Sequence, residues 1–113
     1  MPRNPARGDI YQIDLEPTKG KEQRGRRPVY VLSPAEFNRR GLVIVLPISQ
    51  GQTLARSTGF AATLAVTGLQ TLGVVICDQP RTVDFTVRQA RFVETAPEFV
   101  TEDVLDRIAL LVT

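Results

Sequence analysis

Apolar runs in this 113-residue chain are short, and glycine, proline or clustered charge cuts each of them within a few residues. Such punctuation favours many short strands over long helices. From Ile10 to Leu15 the order Ile-Tyr-Gln-Ile-Asp-Leu predicts a half-buried strand with Tyr11, Ile13 and Leu15 on one face. Between Glu16 and Arg27, Pro17, Gly20 and Gly25 break any period, while Lys19, Lys21, Arg24, Arg26 and Arg27 crowd charge into a long loop. Val29 to Leu32 predicts a second strand. Leu42 to Leu46, lacking a polar face, predicts a third and central one. Between them Ser33 reads as an N-cap, with Pro34 at the first helical position, Glu36 closing a capping box and Gly41 as the stop.

After Pro47, the polar stretch Ser49 to Thr58 reads as a second long loop before a strand around Phe60 to Leu64. Gly68 and Gly73 bracket a turn. Gly73 to Cys77, Val83 to Phe85 and Ala90 to Glu94 predict further short strands, and Pro97 ends the sheet region. Thr101 is expected to cap a last helix with Glu102 and Asp103 in its first turn and Val104, Leu105, Ile108 and Val112 as its apolar stripe. Many short strands with one packed terminal helix predict a small, strongly curved barrel, formed by a single domain over 1–113. At this length a core forms without staples, since folding alone becomes hard only below about 40 residues.

Composition narrows the chemistry. Cys77 is the single cysteine and there is no histidine, which excludes Cys/His metal clusters, intrachain disulfides and Ser-His or Cys-His nucleophile pairs. No metal or cofactor is expected. Residues 1–56 carry ten Lys/Arg against five Asp/Glu, and residues 57–113 carry four against seven, so the first half is the half expected to meet an anion. MPRNPARGD leads into no apolar signal core, and nowhere do about 18 apolar residues run together, so a cytoplasmic protein without membrane contact is expected.

Three stretches carry a resemblance: Arg7-Gly8-Asp9-Ile10, then Pro17-Thr18-Lys19-Gly20-Lys21-Glu22-Gln23-Arg24-Gly25-Arg26-Arg27-Pro28, then Val31-Leu32-Ser33-Pro34. Together they resemble the toxins of the MazF/PemK family, with Glu-Gln-x-Gly-x-Arg-Pro the specific run. Pro47-Ile48-Ser49, Ala55-Arg56-Ser57-Thr58-Gly59-Phe60 and Gly73-Val74-Val75-Ile76-Cys77-Asp78-Gln79-Pro80-Arg81-Thr82 are similar to the Kid/PemK branch. The likeness spans about Arg7 to Thr113. It implies a mainly β, SH3-like small barrel of the CcdB/MazF/PemK plasmid-maintenance type with short helices, a C-terminal helix and a homodimeric assembly. It further implies a sequence-specific endoribonuclease toxin that cleaves single-stranded mRNA, inhibits translation and is neutralised by a cognate antitoxin with a disordered, acidic C-terminal segment. DNA is then met only indirectly, through the antitoxin.

The residues support one form of that reaction. RNA carries its own nucleophile, the 2'-OH, so the protein need only remove a proton, stabilise the phosphorane oxygens and help the 5'-oxygen leave. A metal is not demanded. Without histidine the base must be a carboxylate, and Glu22 and Arg27 flank Gly25 closely enough for a turn to bring base and cation to one phosphate. By resemblance they occupy the family's loop Glu and the Arg of its Arg-Pro motif. Outside that motif Glu22 would read as a charge-balancing surface carboxylate. Arg27, always protonated and a natural bidentate phosphate ligand, is assigned electrostatic stabilisation first and proton donation second.

Ser49 matches a family Thr or Ser near the scissile linkage, and Asp78 a position where the Kid branch places an Asp beside it. A structural turn role is the alternative at each. Lys19, Lys21, Gln23, Arg24, Gln50, Arg56, Gln79 and Arg81 are candidates for lining a single-stranded RNA groove. Phe60 fits the core better. The chain departs from the Kid branch at Lys21, where that branch has His, and at Ile76, where it has an Arg credited with acid catalysis. Two other classes fit the same residues: a basic domain that binds single-stranded nucleic acid without cutting it, and a module that only captures an acidic segment. A gyrase-poisoning toxin of related fold ranks below both.

Overall fold

The computed structural model describes residues 3–14, 26–50 and 59–113. Its elements run β1 (Asp9–Asp14), β2 (Arg26–Val31), α1 (Ala35–Asn38), β3 (Leu42–Ser49), β4 (Ala61–Thr63), β5 (Val74–Ile76), β6 (Arg81–Asp84), β7 (Arg91–Thr95) and α2 (Glu98–Val112). The strands form one antiparallel sheet in the order β4-β5-β3-β2-β1-β7, with β6 paired to β3. The expected mainly β fold with a terminal helix is therefore present. Among the described residues the sheet curves without closing, because β4 and β7 at its ends do not pair.

Alternation on the strands sends side chains into two cores. Tyr11 and Ile13 of β1 join Val29, Val31, Val43, Val45 and Val83 on one face, as the sequence pattern predicts; Leu15 lies outside the described residues. Ile10, Tyr30, Leu46, Ile48 and Val75 point the other way, onto Val100 and Val104 of α2. Phe60 packs against this second core, in keeping with its sequence assignment. The Tyr30 hydroxyl meets Thr101 Oγ1 at 2.6 Å, tying sheet to helix.

Both predicted helix starts are corrected by tertiary partners. Pro34 is the N-cap of α1, and no side chain caps it. Ser33 Oγ instead donates to Asn38 Oδ1 and accepts from Ile44 N at 2.9 Å, so the buried serine bolts α1 to β3. Similarly α2 starts one turn early, at Glu98 after Pro97, and Thr101 lies inside it. β3 also outruns its predicted end at Leu46, reaching Ser49 through Pro47. On one side of β3 its partner changes there, from β6, last paired at Val45, to β5, first paired at Ile48. Proline's missing N–H falls in that gap and breaks no pair with either strand. The N-terminus is pinned by Asp9, 1% exposed, whose carboxylate accepts from Arg3 Nε and Nη2, Ala6 N and Thr95 Oγ1.

Candidate nucleic-acid interface

The face of the sheet carrying Val29 and Val45 is hollowed into a groove of about 440 Å³. Its floor is aliphatic, made by Ile13, Val29, Val45, Pro47 and Val83, and its rim by Gln79, Pro80 and Arg81. Period-two alternation puts Arg27 on this face, two residues before Val29 and opposite Ile13, and Ser49 on it, two residues after Pro47. The β2–β3 register pairs Val29 with Pro47, and continued two residues it sets Arg27 against Ser49. Arg81 faces Val45 across the β3–β6 ladder. Arg27 and Arg81 are both exposed. Gln79 and Arg81 thus rim an apolar trough, and Arg27 and Ser49 share its sheet face beyond the Val29–Pro47 pair, an arrangement that can hold an anionic chain.

Gly73 places Ser49. It has φ +113, and a β-carbon there would lie 2.3 Å from the Ser49 carbonyl oxygen, so only glycine lets β5 approach the end of β3. Asp78 and Gln79 sit exposed in the connection from β5 to β6, and Gln50 is exposed just beyond β3. Ile76 lies on the same pleat face as Val74, which pairs with Ser49, yet is only 5% exposed. Continued one residue, the β3–β5 register sets it against Pro47 of the groove floor, and its burial closes that position to solvent. Cys77 is fully buried, and burial pushes its thiol up to about 11, so it offers no thiolate near neutral pH. Glu22, Lys19, Lys21, Gln23, Arg24 and Arg56 lie outside the described residues.

The structure lines the trough with Gln79 and Arg81 and sets Arg27 and Ser49 on the same sheet face beyond the Val29–Pro47 pair of its floor, with Gln50 and Asp78 in the connections. The sequence missed the trough itself, because its floor residues come from four strands and meet only through register. It also missed Arg26, Asp14 and Arg88, which gather behind Arg27. No helix among the described residues is long and apolar enough to cross a membrane.

Residues 6–112 match the family described as PemK-like, MazF-like toxin of type II toxin-antitoxin system. Endoribonuclease PemK of Escherichia coli is 44% identical over 95% of this chain and 81% of its own length. Endoribonuclease toxin ChpB of Escherichia coli is 38% identical over 94% and 92%. Among solved structures, a MazE–MazF complex from Deinococcus radiodurans superposes with a TM-score of 0.86 at 32% identity, covering 98% of this chain and 97% of the other. A run of relatives over nearly the whole chain, on a sheet that matches theirs, leads to one conclusion: this chain belongs to the PemK-like, MazF-like toxins of type II toxin-antitoxin systems.

Proposed function

We propose that this protein is an endoribonuclease toxin, an mRNA interferase, that cuts single-stranded RNA along the groove edged by Arg27, Ser49 and Arg81. The observation that carries the reading is the register that sets Arg27 and Ser49 on the trough face, each two residues beyond the Val29–Pro47 pair of its floor, with a second arginine on the rim. It is supported by relatives named as endoribonucleases. In this reading Glu22 takes the proton from the 2'-OH, whose oxygen attacks the adjacent phosphorus. Arg27 holds the non-bridging oxygens as charge builds on the phosphorane, with Ser49 and Asp78 beside the linkage. The bond from phosphorus to the 5'-oxygen then breaks, that oxygen takes up a proton, and the products are a 2',3'-cyclic phosphate and a 5'-OH.

Gln50, Gln79 and Arg81, with Lys19, Lys21, Gln23, Arg24 and Arg56, hold the strand on either side of the cut. A cognate antitoxin, supplying a disordered acidic segment, competes for the same cations; solved structures of relatives include complexes with an antitoxin. The toxin acts as a homodimer in the cytoplasm and meets DNA only through that antitoxin.

The test is end-group mapping on a long RNA with purified protein, with and without excess EDTA. Cleavage unaffected by EDTA and leaving cyclic phosphate ends is expected. Loss on chelation, restored by magnesium or manganese, would show a metal-dependent mechanism instead.

A further inference from the structure

Behind the groove, three strands meet in one row. Gln12 pairs with both Pro28 of β2 and Arg91 of β7, and two residues further on Asp14 pairs with Arg26 on one side and hydrogen-bonds the turn after β6 on the other. Asp14 N donates to the Arg88 carbonyl at 2.9 Å, and Arg88 Nη1 reaches back to the Asp14 carbonyl at 3.5 Å. Arg26 completes the row. Its Nη1 lies 3.4 Å from Asp14 Oδ1, and its Nη2 donates to the Gln89 carbonyl. Gln89 has φ 53, a left-handed conformation uncommon outside glycine, held here where its carbonyl faces the arginine.

An ion pair with side chains 24% and 48% exposed adds little to stability. What the row fixes is position. Arg26 is the first residue of β2 and Arg27 the second, so a guanidinium bound to both β1 and the β6–β7 turn holds the backbone from which Arg27 reaches into the groove. Alternation points Arg26 to the opposite face, away from the trough.

We propose that Arg26 is a positioning residue for RNA cleavage, fixing the start of β2 through Asp14 and the Gln89 carbonyl so that Arg27 is preorganised at the scissile phosphate. This rests on the reading of Arg27 as the phosphate-holding group. A side chain left to wander raises the barrier to the chemical step more than it weakens RNA binding.

The experiment measures kcat and KM on a short RNA for the full-length Arg26→Ala, Arg26→Lys and Arg27→Ala proteins, together with amide hydrogen exchange of the first two. Arg26→Ala should lower kcat about tenfold with KM within about twofold, and should speed exchange at Arg27 and Ile13 while leaving Val75 and Ala62 unchanged. Arg26→Lys, which keeps a cation for Asp14, should recover part of the kcat. Unchanged kcat overturns the proposal. So does a loss confined to KM, or a loss of kcat without faster exchange at Arg27, because either describes direct contact with RNA. If Arg26→Ala does not fold, the lysine variant decides: a kcat equal to wild type with unchanged exchange at Arg27 overturns the proposal, and an intermediate kcat with faster exchange there supports it. Arg27→Ala separates the two layers, since full activity in that variant sinks the reading of Arg27 whatever the exchange data say of Arg26.

Discussion

Arg27 is the charge that β2 presents on the groove face, and β5 brings only Val74 and Ile76, both buried, to that face. Arg27→Ala is expected to lower turnover on a short RNA by about 10²- to 10³-fold, the usual cost of removing one oxyanion donor. Glu22→Gln should be slower but not dead, within the about 10²- to 10⁴-fold that general acid–base catalysis supplies. Both are read after circular dichroism confirms the fold. Ile76→Arg tests whether a second cation could be restored. Its burial predicts a destabilisation of about 2 kcal/mol or more and no gain in turnover, measured by denaturant unfolding beside the same RNA assay. A faster, equally stable variant would show that the site tolerates the charge after all. At this scale the sequence offered Arg27, Ser49, Gln79 and Arg81 as candidates through family resemblance and residue type. It could not carry the burial of Ile76, which follows Val74 and Val75 in a run that reads equally well as strand core or as strand end.

Elements are held by contacts that local signals do not announce. The Ser33 and Thr101 hydroxyls had the spacing of helix caps, yet they are taken by other partners, Asn38 with Ile44 and Tyr30 respectively, and the helices begin just after proline N-caps. The alternation over Tyr11 and Ile13 was legible because one strand suffices to write it. The strand predicted over Leu42 to Leu46 falls short of Ser49 because sequence does not reveal that β3 exchanges neighbours around Pro47. The close approach of β5 to β3 gives a sharp prediction: Gly73→Ala would place a carbon 2.3 Å from the Ser49 oxygen, so it should cost more than about 2 kcal/mol and lower turnover by displacing Ser49. Normal stability with normal turnover would contradict it. The β4–β5 connection is secured differently. Glu94 on β7 accepts from Gln70 N, Thr71 N and Thr71 Oγ1. Burial raises its pKa, but these donors outweigh it and the carboxyl lies below its ordinary value. A depressed carboxyl stabilises the fold fully above the unfolded pKa of about 4.3 and loses that contribution as pH falls through the folded value. Melting curves of wild type and Glu94→Gln should therefore differ at pH 7 and converge as pH falls through the lowered folded value; a constant gap would refute the assignment.

For the molecule as a whole, the proposed function has one trough serve two anionic partners, so RNA and an acidic antitoxin segment should exclude each other, with both affinities falling as salt rises. A competition titration by fluorescence anisotropy checks this, and simultaneous tight binding of both would contradict it. The same basic half that the charge count singled out supplies Arg27 of the trough, while the acidic half supplies Arg81 and α2. Which residues met in the trough was beyond the sequence because pairing across β1, β2, β3 and β6 decides it. The trough floor is not a lining added to a finished fold. Ile13, Val29, Val45 and Val83 are at once its floor and members of one of the two hydrophobic cores. A lineage of such toxins therefore cannot drift freely in what its groove accepts: each change to the floor risks the fold that carries it, and divergence in partner or target is channelled to the rim and the connecting loops, where a residue can be exchanged without touching the core.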